Sequence, residues 1–404
     1  MSEKTDKRLQ ELAFTIADHQ ARIEMLGSKW AALLTEKLDA TELKLLDMIR
    51  EYMEKHSRGM SSVTAVQDFE RLERKIKKLR LSAYQEAYRE FKQEGLELSE
   101  NEQKWAQRVA KELSPEHSGA FVLSNSKELK NGMMSSYING RKFDEWFTHY
   151  SESDFTRIVE AVRIGVTNGI TIPELVRQIR GTRENKFQDG IISASTKDAE
   201  RLARTLCGGI ANQAKDQFYR DNDDVVIGVE WLDTLDTRTC TRCGGLSRRR
   251  WKTKEPHPVP PLHPNCRCVL IPVTELTDLG EDVSRPMANA DFMQLAKEDY
   301  EKNHPGKKWE ELAYSTRKKY YYQAQRDFEK RTGKPAYSQA PGNMKFKDYF
   351  LQLDEKTQRS YLGPERFKLW KSGGLDLEKF IPPFPDRAFT VKELKEMDKR
   401  SFRK

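Results

Sequence analysis

Five residues near the middle of the chain have the types and spacing to hold a metal ion. Cys240 and Cys243 form a C-x2-C pair, and after nineteen intervening residues His263 and Cys266 form an H-x2-C pair. Cys268 follows two positions beyond. Zinc takes four nitrogen or sulfur donors in a tetrahedron, commonly as two short pairs joined by a loop of ~15–20 residues. We therefore expect Cys240, Cys243, His263 and Cys266 as ligands, with Cys268 as the alternative fourth in place of His263. If residues 266–268 are extended, Cys266 and Cys268 are expected on opposite faces, which argues against both binding one ion. Pro264 biases His263 toward an extended backbone. A metal-free state with buried thiols or an oxidised pair is the alternative. Cys207 stands alone on an apolar helix and reads as core.

The chemistry expected of this site is structural. Catalytic zinc keeps an open position and a nearby acid or base. Here soft residues can fill all four positions, and no HExxH or H-x-E…PCxxC pattern occurs. His257 and Glu255 are the nearby candidates, and they lie in a proline-rich segment without periodicity. Asp236 and Arg238 flank the knuckle; a carboxylate and guanidinium two residues apart can fix a loop through hydrogen bonds. No catalytic residue is expected. The run Arg248-Arg249-Arg250, with Lys252 and Lys254, reads as a solvated loop that could touch phosphate.

The elements that must position these residues are mostly helical. The chain has 404 residues, 71 Lys/Arg against 63 Asp/Glu, and a net charge of +8. Its charged fraction of 33% exceeds the usual ~25%, which suits long helices better than one compact globule. No stretch approaches ~18 apolar residues, and the opening MSEKTDKRLQELAF carries no mark of export. Membrane-protein and secreted disulfide-scaffold classes are excluded on this reading.

Periodicity supplies the helices. Leu9, Leu12, Ala13 and Ile16 form one stripe, and Ile23, Leu26, Trp30 and Leu33 alternate by three and four. Phe69, Leu72, Ile76, Leu79 and Ala83 repeat that spacing. Asp39 or Thr41 is expected to cap a segment carrying Leu43, Leu46 and Ile49. Ser99 followed by Glu102 reads as a capping box before another helix. Thr171-Ile-Pro-Glu174 opens one further on, and residues 195–220 form the next, with Gly208 and Gly209 at its centre. A close helix crossing would explain those glycines; a kink is the alternative. Strands are expected at Val225–Trp231 and Cys268–Val273. Residues 301–335 carry ten Lys/Arg against five Asp/Glu, with Tyr320, Tyr321 and Tyr322 in a row.

The segment Asp236-Thr-Arg238-Thr-Cys240-x-x-Cys243 … Pro260-Pro261-Leu262-His263-Pro264-Asn265-Cys266-Arg267-Cys268 resembles the signature of phage head morphogenesis proteins, the Mu F-like minor head proteins. Ala203-Arg204-Thr205 and Asn212 also look like that family, although Leu206 stands where a glutamate often follows the Arg-Thr. The likeness covers roughly residues 150–275. Phe346–Phe380 resembles the tail of many such proteins: an aromatic helix, Gly363-Pro364 between two helices, Phe367, Leu369 and Trp370 as a small core, and a stop at Gly373-Gly374. It departs at Tyr349-Phe350 and in a proline-rich turn at 382–385.

The resemblance implies a minor component of a bacteriophage virion and not an enzyme. Such proteins are made in the host cytoplasm and join the head interior or portal vertex. They associate with the portal protein, with major capsid or scaffold proteins as further partners, and are linked to packaging or ejection of viral DNA. Double-stranded DNA is a further candidate partner, through residues 301–335 and the Arg248 loop, and no membrane is involved during assembly. The alternative is a zinc-containing nucleic-acid-binding protein or DNA-processing enzyme.

The expected fold is mainly α, an elongated multi-domain helical protein with a small α+β module stapled by structural zinc. Its expected parts are a helical bundle or arm (1–115), a linker with short helices (116–150), the head-morphogenesis domain with the Cys/His knuckle (151–275), a basic Tyr-rich segment (276–340) and a small C-terminal helical module (341–404).

Overall fold

Long amphipathic helices make the frame. The computed structural model describes residues 3–56, 59–117, 119, 121–185, 187–278, 283–312, 314–373, 375–382 and 389–401. The first helices are α1 (Glu3–Asp39), α2 (Glu42–Lys55) and the 51-residue α3 (Val63–Leu113). They are followed by α4 (Ser126–Ser135), α5 (Phe143–Thr167), α6 (Ile172–Arg180) and α7 (Ile191–Asp221). α1 packs chiefly along α7, and α3 lies against both. One core joins Trp30 and Leu34 of α1, Phe91 of α3, Phe147 of α5, and Leu202 and Leu206 of α7. A second joins α2, the first half of α3, α5 and α6.

Several local signals act as expected. Thr171 Oγ1 accepts from the Glu174 N–H, and the Glu174 carboxylate accepts from Thr171 in return, closing a capping box. Others are overridden. Ser99 and Glu102 do not start a helix, because α3 runs through them unbroken. Ser99 Oγ instead donates to the Gly95 carbonyl, and buried Glu102 pairs with Lys215 of α7 and His19 of α1. Thr41 sits at the N-cap of α2 without a side-chain capping bond. Its hydroxyl donates to Leu38 O and accepts from Arg80. Gly209 does meet a close approach, since a Cβ there would lie 2.4 Å from Ile138. The tight helix crossing falls elsewhere, at Gly27 of α1, where a Cβ would sit 3.2 Å from the Arg204 backbone.

Beyond α7 the chain changes character. β1 (Gly228–Leu232) is the centre of an antiparallel sheet ordered β2-β1-β3, with β2 at Arg250–Lys252 and β3 at Val269–Val273. Val229 lies opposite Trp251 on one side and Pro272 on the other. Every residue of β1 and β3 is buried. Part of the sheet packs on Ala106, Phe218 and Tyr219, and part on Leu12, Ile16 and Leu113. The one-turn α8 (Thr241–Gly245) lies between β1 and β2.

The Arg248–Lys252 run is not a solvated loop. It forms the entry to β2 because buried Glu230 on β1 accepts from both Arg248 and Arg250. A buried carboxylate needs such partners, so the arginines turn inward.

The remainder is α9 (Glu275–Asp278), β4 (Pro286–Ala288), α10 (Phe292–Asn303), α11 (Tyr314–Thr332) and β5 (Tyr337–Gln339), with β4 and β5 paired antiparallel. The three consecutive tyrosines divide. Tyr320 packs on Tyr300 and Trp309, Tyr321 on Phe292, and Tyr322 remains exposed. Last come α12 (Phe346–Gln352), α13 (Glu355–Leu362), α14 (Pro364–Gly373) and α15 (Val391–Ser401). Gly363 (φ +81°) ends α13 and Pro364 begins α14, around a core holding Phe350, Phe367 and Leu369. Gly374 and most of the proline-rich turn at 382–385 lie outside the described residues.

Candidate metal centre

Two local turns build the cysteine cluster. In the first, Cys240 caps α8, its Sγ accepting the Cys243 N–H at 3.4 Å, so both sulfurs face one side of the knuckle. In the second, Cys266 N–H donates to His263 O at 3.1 Å across a turn with Pro264 second and Asn265 third, at φ +61°. Proline followed by a residue of positive φ is the pattern of a type II turn. It returns Cys266 toward His263.

All four expected ligands and Cys268 converge. Cys240, Cys243 and His263 offer donor atoms within 4.8 Å of one another, as do Cys243, Cys266 and Cys268. Cys243 belongs to both sets, with Sγ 3.3 Å from His263 Nε2 and 3.8 Å from Cys266 Sγ. The expectation that Cys266 and Cys268 diverge is overturned. Residues two apart in an extended segment share a face, and the one between them opposes it. Hence both cysteines meet Cys243, while Arg267 points away to Asp236.

The donor set can hold a metal ion. Three or four thiols and an imidazole are soft ligands of the zinc-binding type. His263 is already oriented: its Nδ1 lies 2.9 Å from the Pro264 carbonyl, which leaves Nε2 toward Cys243. The cluster is electrostatically uneven. Hydrogen bonding from Cys243 pulls the Cys240 thiol down to about 4 against the effect of burial. Hydrogen bonds to Cys240 and Cys266 push His263 up to about 11. Hydrogen bonding with the sulfurs of Cys240, Cys266 and Cys268 pushes Cys243 up. Such a group of thiols shares its protons, and a cation would replace them.

Asp236 is the anchor beside the cluster. Its carboxylate accepts two bonds from Arg267 at 2.8 and 2.6 Å, two longer ones from the Arg238 guanidinium, and one from Tyr337 at 3.1 Å. The Arg238 backbone N–H adds another at 3.0 Å. Burial alone would raise its pKa, but Arg267 and Arg238 override it and hold the carboxyl far below the usual range. An acid so neutralised fixes a loop and is no proton acceptor for chemistry. Arg267 and Tyr337 carry no local sequence signal for this role, since both come from distant parts of the chain.

Helix α7 carries the turn from below. Arg204 reaches Asn265 at 3.4 Å and Asn212 reaches the Cys268 carbonyl at 3.4 Å. His257, considered above as a base, is enclosed, with Nδ1 at the Glu255 carbonyl and Nε2 on Asp216 of α7. It pins the proline-rich loop. Cys207 lies apart from the cluster in the α1–α7 core, where burial pushes its thiol up.

The match to known families falls on this region. Residues 156–271 match the family Phage Mu protein F like protein. The Mu F-like segment runs from within α5 to β3 and holds all five metal-capable residues, Asp236, Arg267, and the α7 side chains that support them. It agrees with the head-morphogenesis resemblance of the motif and covers a little over a quarter of the chain. No curated protein and no solved structure matched the chain. Among the described residues no helix is long and apolar enough to cross a membrane.

Proposed function

We propose that this protein is a minor head component of a bacteriophage virion, without enzymatic activity, whose Mu F-like segment is stapled by one structural zinc. The observation that carries this reading is the family match ending in the cysteine cluster. Zinc would be held by Cys240, Cys243, His263 and Cys266, with Cys268 behind them as the alternative fourth ligand. When bound, it would supply a cross-link between the β1–α8 connection and the entry to β3. The residues around it position and do not react: Asp236 is neutralised by two arginines, and His257 is held between a carbonyl and a carboxylate.

On this reading the chain is made in the host cytoplasm and joins the head interior or portal vertex. It associates there with the portal protein and neighbouring capsid or scaffold proteins, supporting packaging or ejection of DNA. Direct contact with double-stranded DNA would fall to the basic residues of α11, because two arginines of the Arg248 run are occupied by Glu230. Co-purification of the full chain with portal protein, and its presence in finished heads, is the expected result. Quantitative absence from finished and unfinished heads alike would defeat the reading.

A further inference from the structure

A groove of about 670 Å³ separates the first half of α1 from α11 and the β4–β5 sheet, outside the metal centre. Its α1 wall presents Phe14, Ala17 and Ala21, one helical stripe in which Phe14 is 67% exposed. The facing α11 wall presents Tyr321, Tyr322 and Gln325. Both walls are helices, their lining residues recur at helical spacing, and the alanines allow close approach. That is the geometry of a groove that accepts a third helix by its apolar face.

The floor adds a charge requirement. Arg238 and Arg267 both line the groove. Arg267 is committed to Asp236 through both Nη atoms. Arg238 uses only Nε and Nη2 on that carboxylate, while its guanidinium lies 4.2 Å over the Tyr321 ring. Its Nη1 has no partner among the described residues. Lys318, one turn before Tyr321 and Tyr322 on α11, holds its ammonium 5.7 Å from the Tyr322 ring, where Glu24 attracts it and Arg204 and Arg238 repel it. Glu24 is the acid on the α1 side, and Asp233 is consumed by buried Arg285. The two arginines and Lys318 outweigh Asp236 and Glu24 by one charge. An apolar wall with a cationic end suits an acidic amphipathic helix; DNA would need exposed cations and no apolar wall.

We propose that this groove is a docking site for an acidic amphipathic helix of a partner chain, with its apolar face between α1 and α11 and an acidic residue on Arg238 and Lys318. The assignment rests on the head-component reading above, which makes the portal protein the partner to test. The experiment measures binding of purified portal protein to the full zinc-loaded chain, to Ala17→Trp, which fills the groove, and to Lys318→Glu. Helix content and melting temperature serve as controls for folding. A photo-cross-linking residue at Ala21 maps the contact. Ala17→Trp should weaken binding by about tenfold or more, and Lys318→Glu should weaken it by about threefold with a shallower salt dependence. The cross-link should fall on an acidic helix of the portal. Unchanged affinity of both folded variants overturns the groove but leaves portal association standing. Wild-type chain that ignores portal protein overturns both, and protection of Ala21 by duplex DNA instead overturns the helix as occupant.

Discussion

The sheet module around the cysteine cluster and the α1–α3–α7 frame both bury charge, but they are held together differently. The frame has long apolar stripes and can enclose a few ion pairs within an already large core, as with Arg80, Asp154 and Ser195, or His19, Glu102 and Lys215. The module has strands of three to five residues, a proline-rich loop and a dense set of arginines. Its cohesion comes from Glu230, Asp236 and the five-donor cluster, each joining segments twenty or more residues apart. The difference teaches where a single substitution will act. In the frame it subtracts from a large sum; in the module it can remove the link itself.

The sharpest way to separate the two is to take away the metal. Protein purified under reducing conditions should carry about one equivalent of zinc, and a chelator or Cys243→Ser should remove it. Structural zinc in small sites contributes folding free energy on the order of 10 kcal/mol. Amide protection in β1 and β3 should therefore collapse while the centres of α3 and α7 stay protected. Metal below about a tenth of an equivalent in fully folded protein would end the zinc reading. Equal loss of protection in both regions would end the comparison.

A smaller effect is expected when a buried pair of the frame is broken. Arg80 and Asp154 are both fully buried, and Arg80 also donates to Leu38 O and Thr41, so it ties α3 to α5 and the α1–α2 turn. Asp154→Ala leaves a buried guanidinium uncompensated, which costs roughly 3–5 kcal/mol. Replacing both residues together, Arg80→Met with Asp154→Leu, should recover much of that loss. Thermal denaturation reads both, and metal content should not change in either variant. Zinc loss on Asp154→Ala would show that frame and module are one cooperative unit.

What could be read from sequence divides along the same line. The C-x2-C and H-x2-C pairs, the Thr171 box and the Gly363-Pro364 break are signals within a few residues, and the structure uses them locally. Glu102 and the Arg248 run misled because their partners lie far away: Lys215 is 113 positions on, and Glu230 answers Arg248 only once β2 has formed. Nothing near either residue encodes that partner. Cys268 differs from both cases. The two-residue period of an extended chain places it beside Cys266, so the signal was present and the expectation of opposite faces misapplied it. The Asp236 anchor was half legible, through Arg238 but not through Arg267 or Tyr337.

The smallest expected effect uses the remaining cysteine as the control. Cys207 has the same side chain as the cluster residues but belongs to the frame, on α7 against Ile23 and Gly27 of α1. Its Sγ lies 3.5 Å from the Ile23 carbonyl, a weak contact for a thiol, and no metal-capable group includes it among the described residues. Cys207→Ala removes one buried sulfur and leaves a small void. By analogy with deleting one methyl-sized group from a core, it should cost about 0.5–1.5 kcal/mol. The close α1–α7 crossing at Gly27 favours the upper part of that range, because two helices already in backbone contact cannot move inward to fill the gap. Zinc content and protection of β1 and β3 should remain at wild-type levels. If Cys207→Ala instead released metal, the frame would be positioning the cluster through α7, whose Arg204 and Asn212 hold its second turn.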